Sequence, residues 1–352
     1  MRALSSLEEK SVSMEKLTLE DVAKLAGVHR STVSRVVNES PNVSPEVRKR
    51  VLKVIQSTGY QPNAAARSLA SQRSHMIGLL LPRSVASFFT DPFFPHLTQG
   101  IAFGCNNNDL TLSLFLAGNR EDEEKILPRI SRRGFLDGIL IQAGRPDELI
   151  IDRLTKSNLP VVIIGRPFVV DGLSFIDIDN VSAAMKATQH LLNLGRKRIA
   201  TITGNHDSTV TEDRLEGYRK VLRTAGCEPG NEWIVEGDFT ELSGYLGMKN
   251  LLPLKPDAVF CQSDIMAAGA MRTIQEAGLR VPEDIALIGF DDIPIARQLK
   301  VPLTTIKQPI TKLGVKAVEL LIDLIENGTK PARRIILDTE LIVRDSCGAK
   351  QL

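Results

Sequence analysis

Residues 17–60 have the sequence LTLEDVAKLAGVHRSTVSRVVNESPNVSPEVRKRVLKVIQSTGY, and this stretch decides the fold of the N-terminal part of the chain. Apolar side chains recur at helical spacing in three short runs, and capping residues or glycines bound the runs. The pattern predicts three short helices around one small core. Residues 1–16 contain no apolar segment and are expected to form a disordered leader.

Capping residues set the bounds of the first two predicted helices. Thr18 can cap the first helix, and Asp21 completes a capping box. We expect this helix to end at Ala26, because Gly27 allows the tight turn that follows. A second helix over about 30–38 then lies across the first, as in a helix-turn-helix domain.

A third predicted helix opens at Ser44 and Pro45, an N-cap followed by a first-turn proline. The second helix turns polar side chains outward, and in a domain of this kind that face enters the major groove of DNA. A merely solvated surface is the alternative, but the N-terminal end of this helix is where base edges are reached. The candidates for base contact are Arg30, Ser31, Thr32 and Arg35.

The charge of the chain is unevenly distributed. Residues 17–73 contain nine Lys or Arg and four Asp or Glu, a local net charge of +5. Because the leader is neutral and the whole chain carries +2, the remainder carries −3. A basic head on a mildly acidic body suits contact with phosphate groups, and such binding weakens as salt rises.

Residues 61–74 are expected to form a hinge helix and a linker. They begin QPNAAARSLA, in which Asn63 can cap a short helical segment. Isolated helices shorter than about 12 residues are marginal in water, so this one should form only when something packs on it. An inert linker is the alternative, but a linker would be rich in Gly, Ser or Pro and not in Ala.

Beyond the hinge, apolar strand-like runs alternate with helical stretches. Nearly continuous apolar strands in such an alternation indicate an α/β architecture of parallel sheets with helices on both faces. The length of 75–352 favours two doubly wound lobes. The expected N-lobe comprises about 75–178 and 309–335, and the expected C-lobe about 179–308 and 336–348.

Polar and aromatic side chains follow the predicted strands at the ends where open α/β sheets bind ligands. Carboxylates, guanidinium groups and an aromatic platform suit a polyhydroxy ligand, whose hydroxyls donate and accept while its ring face is apolar. We interpret Asp264 as the N-cap of the helix that follows it. The strand-end candidates are Arg166, Asp179, Asp238, Phe239, Ser263, Asp291 and Asp292, with Arg214 near the start of a helix.

The chain closely resembles the lactose/galactose repressor (LacI/GalR) family, especially its purine repressor and sugar repressor branches. The resemblance extends from Leu17 to about Cys347 and rests on the motifs DVAKLAGVHRSTVSRVVN, YQPNAAARSLA, HLLNLGRKRIATITG, EDRLEGY, AVFCQSDIMAAGAM, VPEDIALIGFDD and PLTTIKQP. It implies a helix-turn-helix head, a hinge helix and a two-lobed body of the periplasmic-binding-protein type.

The same resemblance implies roles for individual residues. Leu69 is expected to wedge into the minor groove at the operator centre and kink the duplex, with Asn63, Ala66 and Arg67 as the other hinge contacts. Arg214 and Asp291 are expected to hold the effector. The further cleft positions are Phe93, Phe94, Arg166, Asp179 and Phe239, the last as a stacking platform.

The chain departs from the purine-binding branch in the cleft. Ser208 and Val210 stand where that branch has arginine and threonine, and Arg166 replaces its tryptophan. A purine corepressor is therefore disfavoured, and the expected small-molecule effector is a sugar or sugar derivative.

His29 stands where a serine usually caps the recognition helix, so a weaker cap is expected. The absence of a leucine-heptad tail after Cys347 favours a simple homodimer.

Other classes of protein are disfavoured. The four cysteines form no CxxC pair, and neither a metal site nor a cofactor is expected. No apolar run approaches the about 20 residues of a membrane span, so a membrane protein is not expected. The GxSxG, HExxH and P-loop motifs are absent, so an enzyme is not expected. A sugar scavenger of periplasmic type would need a secretory signal, which the leader lacks. A global regulator controlled by a partner protein is the remaining alternative.

The expected protein is a cytoplasmic, ligand-responsive transcriptional regulator, specifically a repressor. A homodimer would bind double-stranded operator DNA of pseudo-palindromic sequence, with one recognition helix in each half-site. The sequence does not determine whether the effector releases DNA or promotes binding, and release is the favoured direction.

Overall fold

The computed structural model describes residues 17–37, 40–60, 73–82, 84–142, 149–169, 172–227 and 229–349. The chain divides into two compact units, Met1–Gln72 and Arg73–Leu352. The expected leader lies outside the described residues. The hinge positions Asn63, Ala66, Arg67 and Leu69 lie outside them as well.

The first unit contains the three predicted helices, which we label α1 (Leu19–Ala26), α2 (Arg30–Val37) and α3 (Pro45–Thr58). Thr18 and Asp21 form the predicted capping box, since each side chain accepts a hydrogen bond from the backbone of the other. Gly27 follows α1 with a left-handed φ of 61°. The helix-turn-helix fold is therefore confirmed. Its buried core consists of Val22, Ala23, Ala26, Val33, Val36, Val51 and Tyr60.

The start of α3 differs in one detail from the expected N-cap. Ser44 precedes Pro45 in extended conformation, but its side chain makes no capping hydrogen bond. The helix start therefore relies on Pro45, whose fixed φ suits the first helical position.

Two six-stranded sheets form the second unit. The first, in the N-lobe, has the order β11-β5-β4-β3-β1-β2 and is parallel throughout. Its strands are β1 (Met76–Leu81), β2 (Thr111–Leu116), β3 (Gly138–Gln142), β4 (Val161–Ile164), β5 (Ser174–Ile178) and β11 (Arg334–Leu337). The two doubly wound lobes of the predicted α/β fold are thus confirmed.

The second sheet, in the C-lobe, has the order β12-β10-β9-β8-β6-β7. All its neighbours are parallel except β12, which pairs antiparallel with β10. Its strands are β6 (Ile199–Thr203), β7 (Ile234–Glu236), β8 (Ala258–Cys261), β9 (Ala286–Asp291), β10 (Thr304–Lys307) and β12 (Glu340–Ile342).

Helices cover both faces of each sheet. Those of the N-lobe are α4 (Val85–Thr90), α5 (Phe93–Asn106), α6 (Arg120–Ile130), α7 (Leu149–Lys156) and α13 (Ile310–Asn327). Those of the C-lobe are α8 (Asn180–Asn193), α9 (Thr209–Thr224), α10 (Glu241–Leu251), α11 (Asp264–Glu276) and α12 (Ile295–Gln298). Short 3₁₀ turns lie at Asn231–Trp233, Leu252–Leu254 and Asp345–Cys347. Each lobe has one buried apolar cluster on either side of its sheet.

The crossing of α5 and α13 depends on two glycines. A Cβ on Gly100 would lie 2.2 Å from the carbonyl oxygen of Thr311, and a Cβ on Gly314 would lie 2.6 Å from that of Leu97. The two backbones therefore approach more closely than any side chain permits.

The last boundary between the lobes lies later in the chain than the sequence pattern predicts, which is between 335 and 336. Ile336 and Leu337 pair with β5 in the first sheet, and the second sheet is rejoined only at Glu340. The two short strands β11 and β12 carry exposed positions and too little apolar periodicity to be recognised from sequence.

Candidate functional site

The outer face of α2 presents the expected base-contact residues. Arg30, Ser31 and Arg35 are exposed and Thr32 is half-buried, while Val33 and Val36 face the core. Arg30 lies 3.7 Å from Glu20, but both side chains are about two-thirds exposed, so this ion pair contributes little to stability. The polar face of α2 is thus available to a partner.

His29 caps α2, as the sequence suggested it could. Its Nδ1 accepts a hydrogen bond from Ser31 N at 3.3 Å and lies 2.9 Å from Ser31 Oγ. The hydroxyl of Ser31 is therefore engaged with the cap in this structure.

A cavity of about 680 Å³, including the solvent at its mouth, lies between the two lobes. Both lobes contribute to this interlobe cavity, which combines carboxylates, amides, hydroxyls, one guanidinium group and aromatic rings. It is lined by Asp91, Phe93, Phe94, Gln142, Ile164, Gly165, Asp177, Asn180, Ser208, Val210, Arg214, Phe239, Ser263, Asp291, Gln308 and Leu313.

Arg214 is the buried cation of the cavity. Its Nε donates to Asn180 Oδ1 at 2.9 Å, its Nη1 donates to the carbonyl of Gln262 at 2.6 Å, and its guanidinium lies 3.5 Å from the ring centroid of Phe290. Burial lowers its pKa to about 10, and the charge of Asp291 opposes that shift. Arg214 is therefore charged at neutral pH and held rigidly in place.

Asp291 ends β9 and faces the cavity. Gln308 Nε2 donates to its Oδ1 at 2.5 Å. Burial raises its pKa to about 7 against the attraction of Arg214, and the nearby charge of Asp91 acts in the same direction as burial. The adjacent Asp292 points away from the cavity and pairs with Arg344 and Arg297.

Aromatic rings from both lobes form the apolar part of the lining. Phe93 and Phe94 pack edge to face, with centroids 5.4 Å apart. Phe239 lies so close to Gly204 that a Cβ there would be 2.0 Å from its Cζ. The rings give a sugar-like ligand the apolar surface that its ring face needs.

Asp179 lies outside the cavity lining, contrary to expectation. It is exposed and caps α8, accepting hydrogen bonds from Ser182 N at 2.9 Å and Ser182 Oγ at 2.6 Å. The carboxylate that faces the cavity is Asp177, which is buried in β5 and accepts from Arg166 N at 2.9 Å. Burial raises the pKa of Asp177 to about 6. Because α8 starts at Asn180, Asp179 is its N-cap.

Arg166 joins the lobes and does not line the cavity. Its Nε and Nη2 donate to the two carboxylate oxygens of Asp213 on α9, at 2.9 and 2.6 Å. Its carbonyl accepts from Thr209 Oγ1 at 2.6 Å. The expectation of a direct cleft position for this side chain is therefore wrong, since the opposite lobe holds its guanidinium group.

The N-cap of α11 is Ser263 and not Asp264. Ser263 Oγ accepts from Met266 N at 3.2 Å, and this residue also lines the cavity. Asp264 is fully buried and accepts from Thr305 Oγ1 at 2.5 Å and Ile293 N at 3.0 Å. Its carboxylate thus ties α11 to the loop after β9 and to strand β10.

Sequence reasoning missed five polar residues of the lining: Asp91, Gln142, Asp177, Asn180 and Gln308. Gln142 ends β3 and Gln308 follows β10, so the strand-end rule that found Asp291 could also have found these two. Gln142 Oε1 is buried without a hydrogen-bond partner in the described residues. A hydrogen-bond donor on a ligand would satisfy this oxygen.

Metal and membrane features are absent from the part of the chain that the structure describes. Those residues contain no cluster of three His, Cys, Asp or Glu side chains that could hold a metal ion. Among the described helices, none combines the length and apolar character needed to cross a bilayer.

Two family models match the chain. Residues 18–63 match the bacterial regulatory proteins of the lacI family, and residues 188–347 match a periplasmic binding protein-like domain. The two matches correspond to the helix-turn-helix unit and to most of the C-lobe with the late part of the N-lobe.

Relatives extend the similarity over nearly the whole chain. The HTH-type transcriptional regulator CelR of Thermobifida fusca is 37% identical over 333 residues, covering 94% of this chain and 98% of that protein. The structure of a CelR–cellobiose complex has a TM-score of 0.75 at 35% identity, covering 94% and 99%. The lac repressor dimer bound to operator and the anti-inducer ONPF has a TM-score of 0.80 at 28% identity, covering 95% and 100%.

Proposed function

This chain belongs to the lacI family of bacterial regulatory proteins, and we propose that it is a repressor that binds a pseudo-palindromic operator as a homodimer and responds to a sugar in the interlobe cavity. The family makes it a DNA-binding transcriptional regulator and not an enzyme. Because operator DNA is cytoplasmic, we place its action in the cytoplasm.

The proposed DNA contacts lie on α2. Arg30 and Arg35 are exposed on its polar face, and an arginine can bond guanine O6 and N7 together, with about 1–3 kcal/mol of discrimination between bases. Ser31 and Thr32 complete the proposed base-reading set. The hinge contacts of Asn63, Ala66, Arg67 and Leu69 stay predictions, because these residues lie outside the described part of the chain.

The observation that carries the sugar proposal is the pairing of Arg214 and Asp291 with aromatic rings in one cavity between two lobes. A sugar offers hydroxyls that both donate and accept, and an apolar ring face. Carboxylate and carbonyl oxygens accept from its hydroxyls, Arg214 donates to them, and Phe239 packs on the ring. The solved relative with cellobiose supports a sugar as the class of ligand.

The proposed homodimer is supported by exposed apolar side chains on neighbouring elements of the N-lobe. Val85 and Phe89 on α4, Phe103 on α5 and Leu114 on β2 are 61%, 72%, 50% and 41% exposed. Exposed apolar groups that cluster in this way mark protein interfaces. The relative in the lac repressor structure is a dimer on its operator.

The two lobes provide a way for the ligand to control operator binding. A sugar that contacts both lobes stabilises one arrangement of them, and the proposed dimer transmits that preference to the DNA-binding heads. The coupling is a free energy, typically about 1–3 kcal/mol, and operator binding must affect sugar binding by the same factor. We propose that the sugar releases the operator.

The experiment measures operator binding by fluorescence anisotropy with and without sugars that raise the melting temperature of the full chain. Arg214→Ala and Asp291→Asn are expected to lose the response to sugar while they keep operator affinity. Arg223→Ala, an exposed arginine on the same helix as Arg214, serves as the control and should respond like wild type. A retained response in Arg214→Ala would contradict the cavity assignment, and a response that needs a second protein would favour control by a partner.

Arg35→Ala tests the base-reading proposal. Selection of operator sequences with this variant is expected to show relaxed preference at one base pair per half-site. A uniform loss of affinity across all sequences would mean that Arg35 contacts phosphate only.

A further inference from the structure

The charged groups of the interlobe cavity are mostly carboxylates. Among the described residues that line it, Asp91, Asp177 and Asp291 carry acidic side chains, and Arg214 carries the single basic one. The other polar members, such as Gln142 and Asn180, are neutral.

Protein groups hold the arginines near the cavity in place, and two of the five N–H groups of Arg214 are used in this way. Arg214 donates to Asn180 and to the carbonyl of Gln262, and it stacks on Phe290. Arg166 is held by both carboxylate oxygens of Asp213. His96, Arg297 and Lys307 border a separate groove on the far side of Asp291 and Gln308.

Protein side chains cap two of the helix N-termini near the cavity. Asp179 caps α8, and Ser263 caps α11. The first turn of α9 contains Glu212, whose charge complements the positive end of the helix dipole, while the N-cap Ser208 makes no side-chain hydrogen bond. At α8 and α11, backbone N–H groups of the kind that often bind phosphate at helix starts therefore already have protein acceptors, and at α9 a carboxylate lies in the first turn.

Building on the proposed function, we propose that the effector is an uncharged polyhydroxy compound, and that the cavity rejects the phosphate ester or the acid of the same sugar. Hydroxyl groups donate to the three carboxylates and to the orphaned Oε1 of Gln142, which no anionic oxygen can do. A phosphate group would bring two negative charges beside carboxylates in a partly desolvated site, where like charges repel strongly.

The raised pKa of Asp291 is consistent with the rejection of charged ligands. Burial and the charge of Asp91 hold its pKa at about 7, so a neighbouring anion would force protonation or be expelled. A neutral hydroxyl instead satisfies the carboxylate without adding charge.

The test titrates the full chain by calorimetry at pH 8 with neutral sugars and their charged partners. The pairs are glucose with glucose 6-phosphate and gluconate, ribose with ribose 5-phosphate, and cellobiose with cellobionate. We expect at least one neutral sugar to bind and its charged partner to bind at least about tenfold more weakly, which corresponds to ~1.4 kcal/mol. A charged partner that binds as tightly as its neutral sugar, or more tightly, would overturn the inference while leaving a sugar effector intact. If neither the neutral sugars nor their charged partners bind, the sugar effector is contradicted, and the inference is contradicted as well.

Asp91→Asn tests the cause of the selection. Removal of this charge is expected to narrow the affinity ratio between the neutral sugar and its phosphate ester by several-fold. Asp109→Asn, an exposed carboxylate of the same lobe outside the cavity, should leave the ratio at the wild-type value. An unchanged ratio in Asp91→Asn would mean that the carboxylates do not exclude the anion.

Discussion

At the scale of single residues, the interlobe cavity relies on backbone conformations that most side chains avoid. Phe239 has a φ of 66° and Asp291 a φ of 113°. Such conformations cost about 1–3 kcal/mol each and persist where the surroundings enforce them, commonly at functional sites. At Phe239 the surrounding constraint includes Gly204, which leaves room for the ring.

Gly204→Ala is expected to destabilise the protein by about 1–3 kcal/mol, because the added methyl would collide with Phe239 Cζ at 2.0 Å and with Thr211 Oγ1 at 2.6 Å. Urea denaturation measures the loss. In a Phe239→Ala background most of the cost should disappear, since the ring is the nearer obstacle. Equal costs in the two backgrounds would show that Phe239 does not set the requirement for glycine.

The raised pKa of Asp291 predicts a pH dependence of stability. The folded protein holds this proton up to about pH 7, whereas the unfolded chain releases it near the ordinary aspartate pKa of 3.8. The folded state therefore binds more protons between these limits, and the free energy of unfolding falls as pH rises through them. Asp177, with a pKa of about 6, contributes in the same direction.

Asp291→Asn should flatten, without abolishing, the decline of the urea midpoint between pH 4 and pH 7, because Asp177 still titrates. Asn accepts the positive φ of this position readily, so the variant is expected to fold. Asp109→Asn is the control and should follow wild type. A slope in Asp291→Asn that equals the wild-type slope would refute the assignment of the raised pKa.

At the scale of elements, the lobes are joined by a contact between the loop after β4 and helix α9. Arg166 and Asp213 form a two-point ion pair, and their side chains are 36% and 19% exposed. Thr209 adds a hydrogen bond to the carbonyl of Arg166. This geometry is stronger than that of an ordinary surface pair, because two parallel hydrogen bonds set the orientation of the guanidinium group.

A double-mutant cycle with Arg166→Gln and Asp213→Asn is expected to give a coupling energy on the order of 1 kcal/mol in urea denaturation. The same single variants should weaken the proposed sugar binding, because the arrangement of the lobes in this structure loses a contact. Glu216→Gln, an exposed position on the same helix, should show no coupling with Arg166. A coupling energy of zero would mean that this pair does not hold the lobes together.

At the scale of the whole body, the chain passes between the lobes three times: between β5 and α8, between β10 and α13, and between β11 and β12. Asp177 and Asn180 lie at the first crossing, and Gln308 lies at the second. Residues that line the cavity therefore sit where the lobes would bend relative to one another. Occupancy of the cavity can thus favour one lobe arrangement, as hinge closure requires.

Phe103→Lys is expected to shift the full chain from dimer to monomer in sedimentation equilibrium, because a charge would be buried in the proposed N-lobe interface. Phe103 is 50% exposed in the single chain, so the variant should fold. Ile336→Lys is the matched control, since Ile336 is 53% exposed on β11, outside the proposed interface. A dimer that persists in Phe103→Lys would place the interface elsewhere.

The sequence predicted much of the site but not its exact membership. Strand-end positions identified Asp291, Ser263 and Phe239, because parallel strands bring their carboxyl ends to one edge whatever the details of packing. Asp179 and Arg166 were misplaced for a different reason: each has a partner within the protein, and sequence spacing does not reveal which polar group has been satisfied internally.

The sequence by itself determined the helix-turn-helix unit, the two-lobed α/β body and the family, because caps, turns and apolar periodicity act between residues close in the chain. Tertiary structure alone decided that Asp177 faces the cavity while Asp179 caps a helix, that Arg166 binds Asp213, and that the cavity is acidic. These outcomes depend on which side chains from distant segments meet. A carboxylate or guanidinium group buried at such a meeting point takes its partner, and hence its pKa and its role, from a segment distant in the sequence, as Arg166 does from Asp213 and Arg214 from Gln262.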